Sequence, residues 1–490
     1  MDELAKRIEE KVTDRHFHLT MVRNSDGFLS RSDVQQAVLQ ECGVLLLPVC
    51  SALELRVRYE LNDRLSEQKV CYIVNGNLTL LPDMKPYIKD KGMINLSDLM
   101  PAYDALEIKK AAMSWSMASY MCKQKYTYNL SPMQTRSMIN SAEGIYGDTI
   151  EAMISDLQHI TLDWDNPQTI DNISNVILRA ISKDCYGEIE STVSRINDNF
   201  QTWLDAHYKA LPTSSHLKKP KLVNKILPHI AYNHGRQEKV ALIVVDGMTY
   251  WQYLILHKYL LTHGLQPVND MTMAWIPTIT KLSRQAIFSG NIPLMSYQQN
   301  PTAEERLWEE FWISPSRRDK RMSESELSYQ HGSLCLANTA YNRIAIVDVD
   351  LDEKMHASTD NKDLYSLTEN WASKAAEDIR SIHDMGYTIY TTTDHGNILS
   401  HGWRSLNSQE KTFLYKDGSR GTRHLIYNDS VHMNDFVATN SEMADNWMQG
   451  DNWLVWKTDQ CFKSKDCITH GGSHFLEVIV PFIKINTTNK

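Results

Sequence analysis

Short apolar runs separated by amphipathic stretches set the rhythm of this chain. Phe17–Val22, Val44–Val49 and Val70–Val74 are runs rich in branched side chains, the pattern of buried strands. Between them, Ser30–Cys42 (opened by Ser-Arg-Ser-Asp) and Ser51–Leu65 combine helical spacing with capping residues. Strand–helix–strand alternation at this spacing predicts a small parallel α/β unit over residues 1–110. Arg56, Arg58 and Glu60 share one helix there and read as a solvated face with intrahelical pairs. From 111 the pattern turns helical, with few glycines and long amphipathic stretches such as Asp148–Ile160 and Asn172–Ile181. The Met, Trp and Tyr residues between 113 and 128 fit inter-helix packing. Pro212, Pro220 and the run Lys218-Lys-Pro-Lys221 read as a solvated linker. A helical segment and linker are therefore expected over 111–235, with a further domain over 236–490.

In that last stretch each apolar run stands beside an acid or a histidine. Val240–Val245 ends on Asp246-Gly247. Ile344–Val347 leads into Asp348-Val-Asp350-Leu-Asp352-Glu-Lys-Met-His356. Thr388–Thr393 ends on Asp394-His395-Gly396, and His470-Gly-Gly472 stands just before Val478–Val480. A carboxylate at the end of a parallel strand points into the crevice where open α/β sheets bind ligands. Neighbours on a strand point to opposite faces, so Asp394 and His395 share an ion only past the strand end, where Gly396 supplies a turn. Asp352 and His356, four apart, face the same way on a helix. Alone, Asp246-Gly247 and the Asp352–His356 spacing are weak, since Asp-Gly occurs in many turns and i, i+4 Asp–His pairs are common, while Asp394-His395 is stronger. Together, Asp and His at successive strand ends make up the donor set of a two-metal phosphoryl-transfer site. Ile276-Pro-Thr278-Ile-Thr280 adds a hydroxyl ahead of a helix expected over Ser283–Phe288, where free amides and the helix dipole favour a phosphate. A capped turn without chemistry is the plainer reading of the same residues.

Bulk properties narrow the picture. Hydrophobic residues make up 42% and charged residues 23% of 490 positions, ordinary for a folded chain long enough for two or three domains. A net charge of −9 gives no global field for nucleic acid. The first ten residues lack the apolar region of a signal peptide, and no apolar run approaches the ~20 residues that span a bilayer. The eight cysteines are scattered; Cys461 and Cys467, the closest pair, do not have a usual zinc spacing. Reduced thiols in a cytoplasmic protein without membrane contact are expected. The absence of a Walker loop and of GxGxxG leaves nucleotide binding by those routes unsupported.

Five segments, Val240–Tyr250, Ile276–Gly290, Val347–His356, Thr391–Gly396 and His470–Pro481, resemble the alkaline phosphatase superfamily, and most closely its PglZ-domain branch. Ala-Leu-Ile-Val-Val-Asp246-Gly-Met, Pro277-Thr-Ile-Thr280-Lys-Leu-Ser-Arg284 and Glu477-Val-Ile-Val-Pro481 carry the likeness, as does Leu307-Trp308-Glu-Glu-Phe-Trp312, which reads as packing. Leu80-Leu-Pro82 and Ile94–Pro101 are more loosely similar to the leader regions of phage-defence PglZ proteins. The resemblance implies an alkaline-phosphatase-like C-terminal domain behind an N-terminal α/β unit and a helical middle segment. It implies two divalent ions, zinc by preference and manganese as the alternative. Asp246, Asp394 and His395 would hold one ion with Thr280 as fourth ligand and nucleophile; Asp352, His356 and His470 would hold the other. Thr280 would form a phosphothreonine that water releases, making the protein a phosphodiesterase or phosphatase. Its substrate would be a phosphate ester, such as a nucleotide or oligonucleotide, and its partners other proteins of a bacterial anti-phage defence system. Sulfate esters are disfavoured, because a Cys-x-Pro-x-Arg setting is replaced here by Thr280-Lys-Leu-Ser-Arg284. A mutase-like phosphotransferase and a non-catalytic scaffold are the rival readings. Asp348 and Asp350 compete with Asp352, His474 with His470, and Thr278 with Thr280. Arg404, Arg423 and His424 are candidate phosphate-side groups. All these residues follow Lys239, so a fragment from 236 onward is expected to keep the chemistry.

Overall fold

A computed structural model describes residues 2–486 except 75–77, 112, 125, 127, 147, 148 and 336–339. Asp148, the start of one expected helical stretch, lies outside the described residues; the helix itself runs Ile150–His159 with Thr149 as its cap. The chain forms two compact units, Met1–Thr161 and Leu162–Lys490.

In the first unit, strands Leu19–Arg23, Val44–Val49, Lys69–Val74 and Ile88–Met93 form one sheet. Val44–Val49 lies beside Lys69–Val74, then Leu19–Arg23, then Ile88–Met93, all parallel. Alternate side chains serve opposite faces. Leu19 and Met21 join Val70, Tyr72, Leu55 and Tyr59, while Val22, Cys71 and Ile73 pack with Leu4, Ile8, Val34 and Met117. Both faces are covered, as parallel sheets require. The expected strands and helices are present with shifted ends. Phe17–Val22 becomes Leu19–Arg23, and the helix over 51–65 runs Ala52–Arg58 before a wider π turn, Tyr59–Asp63. Ile88–Met93 was not expected. Its Ile-Lys-Asp-Lys-Gly-Met sequence is polar because it is an edge strand.

The second unit is α/β. Four parallel strands, Thr388–Thr392, Val240–Val245, Arg343–Asp348 and Leu327–Gly332, lie side by side in that order. Ile479–Ile485 adds antiparallel to Thr388–Thr392 and in turn pairs with the short Pro267–Val268 and Met271–Met273. Val240, Leu242 and Val244 meet Ile226, Ala286, Phe288, Trp308 and Trp312 on one face. Helices Tyr250–Thr262 and Asn361–Asp384 cover the other, with Pro167–Ser182 packed beside them. Between Thr392 and Ile479 the chain builds two small three-stranded sheets around Leu425, Phe436, Trp447, Trp456 and Phe462.

The stretch expected as a linker is packed instead. Leu211, Leu222 and Val223 are buried. Lys219 bonds Asp165 O at 2.8 Å and faces Asp270 at 3.4 Å, and Lys221 pairs with Asp165 at 2.7 Å. Helices Pro167–Ser182 and Tyr186–His207 belong to this unit, which therefore begins well before residue 236.

Candidate active site

Topology alone brings the chemistry to one edge. The parallel strands end there with Asp246, Asp348 and Asp394, and the antiparallel Ile479–Ile485 begins there, which returns His470 to the same edge. Two turns shape the approach. Gly247 adopts φ +71°, and a Cβ on it would come within 3.4 Å of Asp352 Oδ1. At Gly396 a Cβ would collide with the Leu476 carbonyl oxygen, so only glycine passes. That turn lets Asp394 and His395 converge past the strand end.

Asp246, Asp394 and His395 form one cluster, and Asp352, His356 and His470 a second. Within each, one potential ligand atom per residue lies within 4.8 Å of the others. His395 Nε2 stands 3.8 Å from Asp246 Oδ1, 3.8 Å from Asp394 Oδ2 and 3.1 Å from Thr280 Oγ1. His356 Nε2 is 3.4 Å from Asp352 Oδ1. The His395 and His470 rings stack, with centroids 3.9 Å apart and planes at 11°, so the clusters adjoin.

The histidine tautomers follow from the backbone carbonyls that the two rings meet. His395 Nδ1 lies 3.0 Å from Gly396 O, and His470 Nδ1 lies 2.8 Å from Thr278 O. A carbonyl only accepts, so each Nδ1 carries the proton and each Nε2 keeps its lone pair for the cluster. Burial, reinforced by neighbouring His395, holds the His470 imidazole well below its ordinary pKa. Burial likewise lowers His356, against the pull of Asp352. Burial pushes the Asp246 carboxyl well above its usual range; Arg284 opposes this, and the charges of Asp394 and Asp352 add to it. At Asp394 burial acts in the same direction, but His395 and Arg284 outweigh it and hold the carboxyl low.

Among the competing candidates, Asp348 is taken up by Trp371 Nε1 at 2.8 Å and by the Asp350 amide. Asp350 pairs with Lys354 at 3.1 Å at the surface. His474 caps the Phe475–Val478 helix through Leu476 N and stacks on Phe475. Thr278 is buried; its hydroxyl donates to Gly472 O at 2.8 Å and accepts from Gly471 N at 3.0 Å. Thr280, the first residue of the Thr280–Ser289 helix, faces His395 instead. That helix starts three residues before the expected Ser283.

Three arginines matter in ways the sequence reading missed. Arg284 is buried and binds Asp246, Asp394 at 3.1 Å and Glu304 at 3.5 Å. Its position one helical turn after Thr280 was the available signal. Arg420 reaches Asp352 from the loop Asp417-Gly-Ser-Arg-Gly421, whose sequence carries no such signal. Arg423 is a structural residue, not a phosphate-side group. It is fully buried against Glu477 at 2.9 Å, and Glu477 accepts from Gly472 N at 2.8 Å. The pair thereby fixes the His470-Gly-Gly turn. Arg404 pairs with Glu410 at 2.8 Å, and His424 faces Asp417 at 2.6 Å.

Residues 221–485, more than half the chain, match the family model described as the BREX system PglZ alkaline phosphatase-like domain. The chain belongs to this family. No curated protein sequence matches it. Among solved structures, an inactive form of murine ectonucleotide pyrophosphatase/phosphodiesterase 5 with AMP shares 12% identity at a TM-score of 0.36, over 51% of this chain and 88% of that one. Phosphonoacetate hydrolase from Sinorhizobium meliloti 1021 with phosphonoacetate shares 11% at 0.32, over 51% and 90%. Human ectonucleotide pyrophosphatase/phosphodiesterase 5 shares 11% at 0.35, over 50% and 87%. The PglZ domain thus spans the sheet, both acid–histidine clusters and Thr280. No helix among the described residues is long and apolar enough to cross a membrane.

Proposed function

We propose that this protein is a two-cation phosphoesterase with Thr280 as nucleophile, acting on phosphodiesters in the cytoplasm within an anti-phage defence system. The observation that carries the reading is a set of buried lone pairs. Asp246 Oδ1, Asp352 Oδ1 and His356 Nε2 have no hydrogen-bond partner among the described residues, and all three belong to the two clusters. Such groups are costly to bury unless something binds them. Mixed carboxylate and imidazole donors suit zinc, with manganese as the alternative. Asp246, Asp394, His395 and Thr280 would hold one ion, and Asp352, His356 and His470 the other. Bound ions of this kind make a hydroxyl nucleophilic at neutral pH and neutralise charge on phosphoryl oxygens.

The chain supplies the rest. Arg284 fixes Asp246 and Asp394 from behind, leaving Asp246 Oδ1 facing forward. Among the described residues no side chain caps the helix that opens at Thr280; the Leu282 and Ser283 amides bond Ile279 O, which leaves the amides ahead of them for an anion. Thr280 Oγ bonds phosphorus as its proton is lost, the P–O bond to the leaving alcohol breaks and that oxygen is protonated, and water then cleaves the threonyl phosphodiester, freeing a phosphomonoester and restoring the hydroxyl.

A scaffold reading draws on one feature: Arg284 and Arg420 already offset part of the carboxylate charge. Elemental analysis of dialysed protein separates the two readings. The phosphoesterase should hold close to two ions per chain and hydrolyse bis(p-nitrophenyl) phosphate faster than the monoester. No ion, with Asp394→Ala unchanged in stability, sinks the reading. Full occupancy with monoester turnover alone makes the protein a phosphatase.

A further inference from the structure

Cys461 and Cys467 approach to 4.0 Å between sulfurs. Both lie on strands that flank Ile398–Gly402: Cys461 pairs opposite Gly402, and Cys467 opposite Ser400. The five residues between them turn through an exposed tip, Lys463-Ser-Lys-Asp466. Cys461 is buried, while Cys467 is partly open to solvent. We propose that these two thiols form a reversible intramolecular disulfide, and that closing it loosens the second acid–histidine cluster.

The connection to that cluster runs along two short arms. Cys467 opens the Cys467–Thr469 strand, and His470 follows it directly. Thr422 lies 3.9 Å from Cys467 Sγ, and its amide and hydroxyl both reach Thr469 Oγ1 at 3.2 Å. The next residue back, Gly421, lies on the His470 ring; a Cβ there would come 3.1 Å from Cε1. Arg420 then reaches Asp352. Drawing the sulfurs from 4.0 Å to the ~2 Å of a disulfide therefore pulls on backbone that seats His470 and Arg420.

The chemistry needs a low-molecular-weight disulfide as oxidant. Cys467, as thiolate, attacks one sulfur of RSSR and expels RS⁻, leaving a mixed disulfide. Cys461 gives up its proton and attacks the Cys467 sulfur, expelling the second RS⁻. Two protein thiols are oxidised and one RSSR is reduced to two RSH. The hydrogen bond from Cys461, opposed by burial and aided by Lys463, brings the Cys467 thiol down to about 6. The same bond pushes Cys461 up, which suits an attacking and a resolving thiol respectively.

The test uses full-length protein equilibrated with glutathione disulfide, then alkylated and digested with trypsin, which cuts after Lys463 and Lys465. The proposal expects peptides cross-linked through Cys461 and Cys467, released by dithiothreitol. It also expects the oxidised protein to bind one of its two zinc ions roughly tenfold or more less tightly, with Cys467→Ser indifferent to oxidant. If Cys461 and Cys467 remain alkylatable while the exposed Cys50 and Cys335 take up glutathione, the disulfide is refuted. If cross-linked peptides form and zinc binding is unchanged, the coupling is refuted. The coupling rests on the two-cation reading. Reduced protein that binds no zinc refutes both that reading and the coupling, while the peptides still decide the disulfide.

Discussion

Thr278 and Thr280 are separated by one residue and do opposite work in the structure. Thr278 is locked into the His470-Gly-Gly turn by its hydroxyl, whereas Thr280 presents its own to His395. Thr280→Ala is expected to keep both ions and lose turnover by about a thousandfold or more, with Thr280→Ser recovering part. Thr278→Ala strands the Gly471 amide and should cost about 1–3 kcal/mol of stability in chemical denaturation. A dead Thr278→Ala beside an active Thr280→Ala would reverse the assignment. The sequence nominates these threonines and the three acids at 348, 350 and 352, and only the family resemblance favours Thr280 and Asp352 among them. The ranking depends on what already occupies each side chain, such as Trp371 on Asp348 and Lys354 on Asp350. Partners that distant in sequence leave no local trace.

At the scale of elements, the long apolar strands were legible because they are buried on both faces. The two- and three-residue strands between Ile398 and Thr469 were not, since two or three residues show no periodicity. The Arg423–Glu477 pair spans that insertion and the start of Ile479–Ile485, and neither residue signals the other in sequence. Both are fully buried, so Glu477→Gln leaves a buried guanidinium short of its charge. Loss of about 3–5 kcal/mol, read as an earlier denaturant midpoint, is expected. A midpoint within 0.5 kcal/mol of the parent, a shift typical of surface changes, would show that the turn is held by its backbone alone.

At the scale of the molecule, packing places the unit boundary at Thr161/Leu162. Gln201 Nε2 donates to Ser473 O at 2.7 Å, and Asn197 Oδ1 accepts from Phe475 N at 3.2 Å. A helix from the middle of the chain thus braces the segment after His470. A 162–490 fragment should unfold cooperatively and bind zinc with the same affinity as the 490-residue chain. A 236–490 fragment lacks that brace, and its zinc binding should be weaker. Equal binding by the two would show the brace to be dispensable.

The antiparallel return of Ile479–Ile485 also orders events during synthesis. A ribosome releases Asp246, Thr280 and Asp394 long before His470, and until then Thr388–Thr392 is a bare edge open to mispairing. The nascent chain therefore carries the Asp246–Asp394–His395 cluster before His470 can join Asp352 and His356. Translation that stops short of Ile479–Ile485 yields a fragment with an open strand edge for quality control to clear.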